Sequence, residues 1–299
     1  MKSILIIYPS WEDRSHLGFQ SYISKYNQID EIYLLEMKNT KHAEKTNLCI
    51  DKIVRSAEEL SKKVKRTPLS NEDKELFNII KSLIDGLDTT DNIFLDITTM
   101  SRNILWTLLF FIKQNHNKIK IIYSKPHTYN GDWISREPST PNLLIKHSGI
   151  LDLDLKTCLV IVTGFDTDRT KQLVKFYEPH KIVLLVQSGC DFKNDRRNNG
   201  NEHKAVCEEI GHNPSNIEVL IVDSYSDDFG FNTIETSIKT NKLDHNVILA
   251  SLGPKLSAIS IYQIHSNNPE IGLSYVPCKE YNPDYCSGIG ETIIKDITL

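Results

Sequence analysis

The chain has 299 residues, of which 25% are charged, and its formal net charge is -4 at pH 7. This length favours two domains or one large one, each able to bury a real core. The slightly acidic balance argues against the broad basic surface of proteins that bind duplex nucleic acid, so we expect any anion site to be local.

The N-terminal segment and the cysteines favour a cytoplasmic protein. The opening MKSILIIYPSWEDR has too short an apolar run for a signal peptide, and the six cysteines form no CxxC pair, which favours reduced thiols. The longest mostly apolar stretch, residues 104–112, is far below the roughly 20 residues that span a bilayer, so we predict a buried helix there and no membrane partner.

The first predicted elements occur twice in the chain. The opening strand and loop, ILIIYPSWEDRS at 4–15, match LVIVTGFDTDRT at 159–170, a shift of 155 from Asp13 to Asp168. The next apolar runs are IYLLEM from Ile32 and IVLLVQ from Ile182. Each pair begins with a short aliphatic run, which is typical of buried strands.

The later elements repeat in the same order. FNIIKSLI from Phe77 matches FNTIETSI from Phe231 with helical spacing, and NIFLDITTMSR matches NVILASLGPK. Candidate third strands end at Arg66 and Asp223. The series closes with YNGDWIS at 129–135 and YNPDYCS at 281–287. Five matches in one order indicate an internal duplication.

The repeat sets the predicted fold. We expect an α/β protein with two tandem Rossmann-like repeats, at 1–150 and 151–299, whose mostly parallel sheets pack as a pseudo-two-fold dimer. The boundary is expected near 148–157. The first half contains a charged helix within 41–64, whereas the second half has the polar stretch GCDFKNDRRNNGN at 189–201, which we interpret as a mobile loop or lid.

Four loops are candidates for ligand binding, because ligands of open α/β sheets bind beyond the carboxyl ends of the strands. Two of them, TTMSR at 98–102 and SLGPK at 251–255, place hydroxyls and a cation at the start of a predicted helix, where an anion is favoured. The alternative is that Thr98 or Ser101 only caps the helix and that Arg102 and Lys255 are solvated.

The Asp-Arg pairs after the first strands also allow two interpretations. Asp13-Arg14 and Asp168-Arg169 can be surface ion pairs that contribute little. Alternatively, Arg14 and Arg169 reach phosphates from two sides of a central groove while the acids fix the loops. The sequence favours the surface role for the acids and leaves the arginines open.

The two Tyr-Asn motifs supply aromatic side chains. Tyr129, Trp133, Tyr281 and Tyr285 could stack on bases, while Asn130 and Asn282 could read a base edge. The structural alternative, which we favour, makes these aromatics the packing of an arm that crosses to the other half.

Common catalytic and metal motifs are missing from the sequence. It has no GxxxxGK[ST], GxSxG, HExxH or kinase set. Cys190, His203, Cys207 and His212 match no usual zinc spacing. We therefore predict neither a metal nor a cofactor.

The motifs LDITTMSRN and LASLGPKLSA resemble the strand-loop-helix motif of the CRISPR-associated Rossmann-fold (CARF) sensor domains, and the likeness extends to YPSWEDRS and VTGFDTDRT. The family usually has a Gly-Thr-Lys core, whereas Lys255 here follows Gly-Pro. Members bind cyclic oligoadenylates as dimers, and some cleave them. The resemblance implies a ligand contacted by Ser10, Arg14, Thr98, Thr99, Ser101, Arg102, Gly164, Arg169, Ser251, Gly253 and Lys255.

The expected function is that of a nucleotide-binding sensor or regulatory protein that binds a cyclic oligonucleotide messenger in prokaryotic antiviral defence and works through a separate effector protein. One alternative is a metal-independent phosphodiesterase that cleaves such a nucleotide by positioning and charge stabilisation. Another is a protein-interaction scaffold with a degenerate pocket. The sequence does not decide whether the protein is an enzyme.

Overall fold

The computed structural model describes residues 1–38, 41–131, 133–188 and 198–299. The chain divides into two compact units. Unit 1 comprises Met1–Asp132 with Pro283–Leu299, and unit 2 comprises Trp133–Asn282. The boundary predicted between residues 150 and 151 falls inside unit 2.

The described residues of unit 1 form a six-stranded sheet, four helices and a small ribbon. Its elements are β1 (Ser3–Ile7), α1 (Arg14–Ile23), β2 (Glu31–Met37), α2 (Ala43–Glu59), β3 (Lys63–Leu69), α3 (Asp73–Asp85), β4 (Asn92–Asp96), α4 (Arg102–Asn115), β5 (Lys118–Ser124) and β6 (Thr128–Tyr129), and then, from the C-terminal segment, β15 (Cys286–Ser287) and β16 (Thr292–Thr298). The sheet order is β16-β5-β4-β1-β2-β3, parallel except for β16. Strands β6 and β15 form the ribbon.

Unit 2 is built on a second six-stranded sheet. Its elements are β7 (Ser135–Pro138), β8 (Asn142–Leu143), β9 (Lys156–Val162), α5 (Thr167–Tyr177), β10 (Lys181–Gln187), α6 (Gly200–Glu209), β11 (Ile217–Val222), α7 (Phe231–Asn241), β12 (His245–Ser251), α8 (Lys255–Asn267), β13 (Gly272–Tyr275) and β14 (Cys278–Tyr281). The sheet order is β11-β10-β9-β12-β13-β8, parallel except for β8. Strands β7 and β14 pair as an antiparallel ribbon.

The central strands owe their position to continuous apolar runs. All five residues of β1 are buried, and β9 buries every residue from Cys158 to Val162. Strands covered by helices on both faces need such runs rather than an alternating pattern. The edge strand β3, KVKRTPL, buries only its last residue, and its Lys and Pro residues suit an unpaired edge.

The predicted mixed α/β class with two mostly parallel sheets is confirmed. The buried helix expected at 104–112 is the centre of α4, which buries eight of its residues. The antiparallel strands β8 and β16 were not predicted. Each comes from the opposite half of the sequence to the sheet it completes, so neither half of the sequence alone forms a whole unit.

The polar stretch 189–201 is only partly described. Residues 189–197, including Cys190, lie outside the described residues. Helix α6 begins at Gly200, so the end of the predicted loop is helical.

Two further observations concern the described residues as a whole. None of their helices combines the length and the apolar character needed to cross a membrane. The five described cysteines are all free thiols.

Candidate functional site

The strand order of each sheet reverses beside its first strand. In unit 1, strands β2 and β4 flank β1, and in unit 2, strands β10 and β12 flank β9. The crevice at such a reversal is where open α/β sheets bind ligands. The four loops predicted from the sequence follow β1, β4, β9 and β12, so the structure brings them together in pairs at the two reversal points.

The predicted threonines of unit 1 hold the two loops to the sheet. Thr99 Oγ1 donates to the carbonyl oxygen of Tyr8 at 2.6 Å, which joins the loop after β4 to the loop after β1. Thr98 Oγ1 accepts from the backbone N–H of Ser124 at 3.0 Å. The Thr98 N–H donates to Asp96 Oδ1 at 2.9 Å. Both hydroxyls therefore have structural partners.

The helices after the fourth strands begin at equivalent positions. Ser101 caps α4, since its Oγ accepts from the backbone N–H of Ile104 at 3.4 Å. Arg102 is the first residue of α4, and Lys255 is the first residue of α8. Both cations are half-buried, so neither is a fully solvated surface residue.

Ser10 stabilises the loop after β1. Its Oγ accepts from the backbone N–H of Glu12 at 3.2 Å, and its own N–H donates to Ser15 Oγ at 3.3 Å. This turn places Glu12 just before the first turn of α1. Glu12 was not among the candidate residues found in the sequence.

Arg14 lies in a buried, saturated network. It is 4% exposed, and its Nε donates to Glu12 Oε2 at 2.6 Å. Its other nitrogens donate to the hydroxyls of Tyr123 at 3.3 Å and Tyr285 at 3.2 Å. The Tyr285 hydroxyl and Cys286 Sγ also donate to Glu12 Oε2. The buried charge of Arg14 is thus neutralised within unit 1.

Asp13 and its neighbour Arg14 have different surroundings: the acid lies at the surface, the role favoured for it, and the arginine, whose role was left open, is buried. Asp13 is exposed, and Arg14 pairs with Glu12 instead because the guanidinium turns into the unit. Burial is the largest single influence and would lower the pKa of Arg14, but Glu12, Tyr285, Tyr123 and Cys286 together outweigh it, and the pKa lies well above its ordinary value. Ligand binding by Arg14 would require this network to open.

Arg169 is equally buried in unit 2, but no carboxylate among the described residues pairs with it. It is 7% exposed, and one terminal nitrogen donates to the carbonyl oxygen of Val276 at 2.6 Å. Its guanidinium carbon lies 5.7 Å from the ring centroid of Tyr275. Among the described residues, Arg169 Nε has no hydrogen-bond partner. Two positions before the arginine, unit 2 has Thr167 where unit 1 has Glu12.

The electrostatic setting of Arg169 follows from its neighbours. Burial would lower its pKa, and the opposing effect that raises it comes from Tyr281, Tyr275 and Cys278, with Asp166 last. Burial also raises the pKa of the Tyr281 hydroxyl and of the Cys278 thiol, so both are neutral at pH 7. Together with Asp166 these groups outweigh burial, so the net effect raises the pKa of Arg169.

Glycine allows the two loops of unit 2 to pack closely. A Cβ on Gly164 would lie 2.3 Å from the carbonyl oxygen of Leu252, and one on Gly253 would lie 2.6 Å from the carbonyl oxygen of Thr163. The Gly253 N–H donates to Val162 O at 3.1 Å. Gly253 therefore contributes close packing to the crevice in addition to any ligand contact.

Several buried polar atoms remain unpartnered at this end of unit 2. Ser251, at the end of β12, is buried, and its Oγ has no hydrogen-bond partner among the described residues. The same holds for Gln187 Oε1 and Asn198 Oδ1 near the end of β10. Sequence analysis missed both amides. The available signal was a glutamine closing an apolar strand, IVLLVQ, at its carboxyl end.

The aromatic motifs form the two small ribbons. In unit 1, Tyr129 pairs with Cys286 across β6 and β15, and Tyr285 is buried against Arg14 and Glu12. The Tyr285 hydroxyl is therefore engaged inside unit 1.

The unit 2 aromatics are less enclosed. Tyr281 pairs with Ser135 across β14 and β7 and is half-buried. The guanidinium carbon of Arg136 lies 4.2 Å from the Trp133 ring centroid, which covers one face of that ring. Base stacking by these side chains stays a prediction.

The histidine and cysteine considered for zinc have other roles. His203 Nε2 lies 3.0 Å from the carbonyl oxygen of Gly164, and its Nδ1 lies 2.9 Å from Thr170 Oγ1. Cys207 Sγ donates to the carbonyl oxygen of His203. In the described part of the chain, no group of three or more His, Cys, Asp or Glu side chains could hold a metal ion.

Comparison with known proteins gives no family. No family model matches the chain, and no curated protein matches it. Among solved structures, SirB from Bacillus subtilis with Fe3+ aligns with 92% of this chain and 88% of its own, at 8% sequence identity and a TM-score of 0.21. At that TM-score the likeness carries no argument about fold or function.

Proposed function

We propose that unit 2 binds a small anionic nucleotide at the carboxyl ends of β9 and β12. The observation that supports it is Arg169: a buried guanidinium without a carboxylate partner, whose Nε has no hydrogen-bond partner among the described residues. Burying an unpaired charge is unfavourable, so such a site gains stability when an anion binds. A phosphate oxygen could accept a charge-assisted hydrogen bond from Arg169 Nε.

The arrangement in unit 1 illustrates the contact that we expect. There the Glu12 carboxylate accepts from Arg14 Nε at 2.6 Å and neutralises it. In unit 2, an oxygen of the ligand would take the corresponding place on Arg169, since Thr167 carries no charge. The nearby Ser251 hydroxyl and Lys255, at the start of α8, would add a donor and a second cation.

The role of this binding is that of a sensor or regulatory protein. The resemblance of LASLGPKLSA and VTGFDTDRT to the CARF motifs supports a cyclic oligonucleotide messenger and a separate effector protein, within prokaryotic antiviral defence. The identical strand order of the two sheets supports the duplication, and we propose a pseudo-two-fold arrangement for its halves. Binding would act on an effector only if one conformation binds the nucleotide more tightly than the other.

The test is a thermal melt with mono-, di- and cyclic oligonucleotides, followed by mass spectrometry of each mixture. A ligand present at about 100 times its Kd should add about 2.7 kcal/mol to the stability. We expect at least one nucleotide to raise the melting temperature and to be recovered intact. Recovery of a cleaved product would contradict the sensor role in favour of the phosphodiesterase.

Two variants tie any shift to the site. Arg169→Met and Lys255→Ala should each remove most of the shift, because each removes a cation from the crevice. Arg55→Met replaces an exposed arginine of α2 and should leave the shift unchanged. The proposed site is wrong if no nucleotide raises the melting temperature. It is also wrong if a nucleotide raises the melting temperature of Arg169→Met as much as that of the unaltered protein.

A further inference from the structure

Gln187 presents a buried hydrogen-bond acceptor at the carboxyl end of β10. It is 3% exposed, and its Nε2 donates to the carbonyl oxygen of Thr163 at 3.3 Å. A carbonyl oxygen can only accept, so this bond fixes which end of the amide is the nitrogen. Oε1 therefore points away from Thr163, and among the described residues it has no hydrogen-bond partner.

Asn198 repeats this arrangement next to Gln187. Its Nδ2 donates to the carbonyl oxygen of Gln187 at 2.6 Å, which again fixes the amide orientation. Its Oδ1 is a buried atom that finds no donor in the described part of the chain. Among the described residues, the neighbouring side-chain oxygens Gln187 Oε1 and Asn198 Oδ1 thus both lack a donor, although buried polar groups are normally paired.

These acceptors adjoin the proposed anion site. Gln187 Nε2 lies 2.9 Å from the position that a Cβ on Gly253 would occupy, so the side chain borders the loop after β12. Both acceptors are amide oxygens and carry no charge. An anion gains nothing from them, whereas an N–H or O–H group would complete them.

The sheet order sets the size of a ligand that extends from Gln187 towards Val276. Gln187 ends β10, while Arg169 donates to Val276, directly after β13. Strands β9 and β12 lie between β10 and β13. At about 4.8 Å per strand, the carboxyl ends of β10 and β13 are on the order of 14 Å apart, so a ligand that extends from Gln187 across the ends of β9 and β12 is larger than a lone phosphate.

We propose that Gln187 and Asn198 accept hydrogen bonds from the N–H or O–H groups of the nucleoside part of the ligand. This inference rests on the proposed anion site, and it makes unit 2 selective for a nucleotide over a simple anion. The shared chemistry is a hydrogen-bond donor, supplied either by a sugar hydroxyl or by a base nitrogen.

The experiment is isothermal titration of inorganic phosphate, ribose 5-phosphate and the four ribonucleoside 5′-monophosphates. Gln187→Met and Asn198→Ala should each lower the affinity for the probes that carry the recognised donor by tenfold or more and leave the affinity for phosphate unchanged. Weakened ribose 5-phosphate would identify the sugar hydroxyls, and weakening of the nucleotides alone would identify the base.

Gln114→Met provides the matched control, since Gln114 is an exposed glutamine of α4 in unit 1. Asn198→Ala keeps the test valid if Gln187→Met does not fold. Unchanged affinities for every probe in a folded variant would overturn this inference while the anion site stands. If the unaltered protein binds neither phosphate nor nucleotides, the proposed function fails and this inference fails with it.

Discussion

Unit 1 and unit 2 place an arginine after the first strand of sheets with the same strand order, yet the two arginines have opposite surroundings. Arg14 is neutralised by Glu12, and the hydroxyls of Tyr123 and Tyr285 complete its hydrogen bonds. Arg169 has a carbonyl oxygen and neutral aromatic neighbours. A saturated network stabilises a fold, whereas a buried charge left incomplete favours an external anion.

The largest expected effect is on the stability of unit 1. Arg14→Met removes one partner of a buried ion pair and leaves the Glu12 carboxylate buried without a counter-charge, which typically costs about 3–5 kcal/mol. Arg169→Met removes the hydrogen bond to the Val276 carbonyl oxygen but leaves no carboxylate behind, so the unliganded protein should lose less stability, about 1–3 kcal/mol.

Hydrogen exchange of peptides from β1 and β9 measures the two effects separately, because it reports local opening free energies. The comparison breaks if Arg169→Met destabilises unit 2 as strongly as Arg14→Met destabilises unit 1. Such a result would mean that Arg169 is a structural residue.

A smaller effect, on phosphate affinity, is expected when unit 2 is given a glutamate at the position that Glu12 has in unit 1. Thr167→Glu places a carboxylate two residues before Arg169, as Glu12 stands before Arg14. An internal carboxylate would compete with the ligand, so phosphate affinity should fall by tenfold or more, about 1.4 kcal/mol.

Titration calorimetry with inorganic phosphate checks this substitution, with Thr167→Gln as a control of similar size and no charge. Equal loss in Thr167→Gln would attribute the effect to shape. Undiminished affinity in Thr167→Glu would contradict the role given to the missing acid.

The smallest expected effect is a pH dependence of the loop after β9. Burial lowers the pKa of His203, although its bond to Gly164 opposes this. Because Nε2 donates to the Gly164 carbonyl oxygen, neutral Nδ1 accepts from Thr170 Oγ1. The folded-state pKa lies below the unfolded one, so this stabilisation is present above about pH 6.5 and is lost as the pH falls through the folded-state pKa.

Hydrogen exchange of residues 163–170 in the unliganded protein should therefore accelerate between pH 7.5 and pH 5.5, after correction for the intrinsic rate. The pH-dependent part should disappear in His203→Gln and persist in His127→Gln, which alters an exposed histidine. If the pH-dependent acceleration of exchange persists in His203→Gln, a group other than His203 causes it.

Much of the fold was predictable because its central strands are continuous apolar runs that end in polar loops. The runs ILII and LVIV mark β1 and β9, and the four loops at the two reversal points follow from the rule for open sheets. Strand β8 has two residues, too few to carry a periodic pattern, and its pairing with β13 depends on tertiary contacts. The antiparallel edge strand β8 was therefore missed.

The loops around the candidate site were predictable in position, but the contacts of their side chains were not. The sequence shows Glu12 and Asp13 side by side, and only the direction of the Arg14 side chain decides which acid pairs with it. Gln187 was missed because it ends an apolar strand, where a single polar residue resembles a strand terminus. Its unpartnered oxygen results from packing against Thr163, which sequence patterns do not reveal.

The most direct measurement follows the arginine Nε–H resonances in proton–nitrogen correlation spectra while inorganic phosphate is added. The Arg169 signal, assigned by its loss in Arg169→Met, should move progressively and saturate as Nε gains an acceptor. The Arg14 signal should stay in place, since its Nε already donates to Glu12 Oε2 at 2.6 Å. An Arg169 signal that does not move at saturating phosphate, or an Arg14 signal that moves instead, would contradict the account.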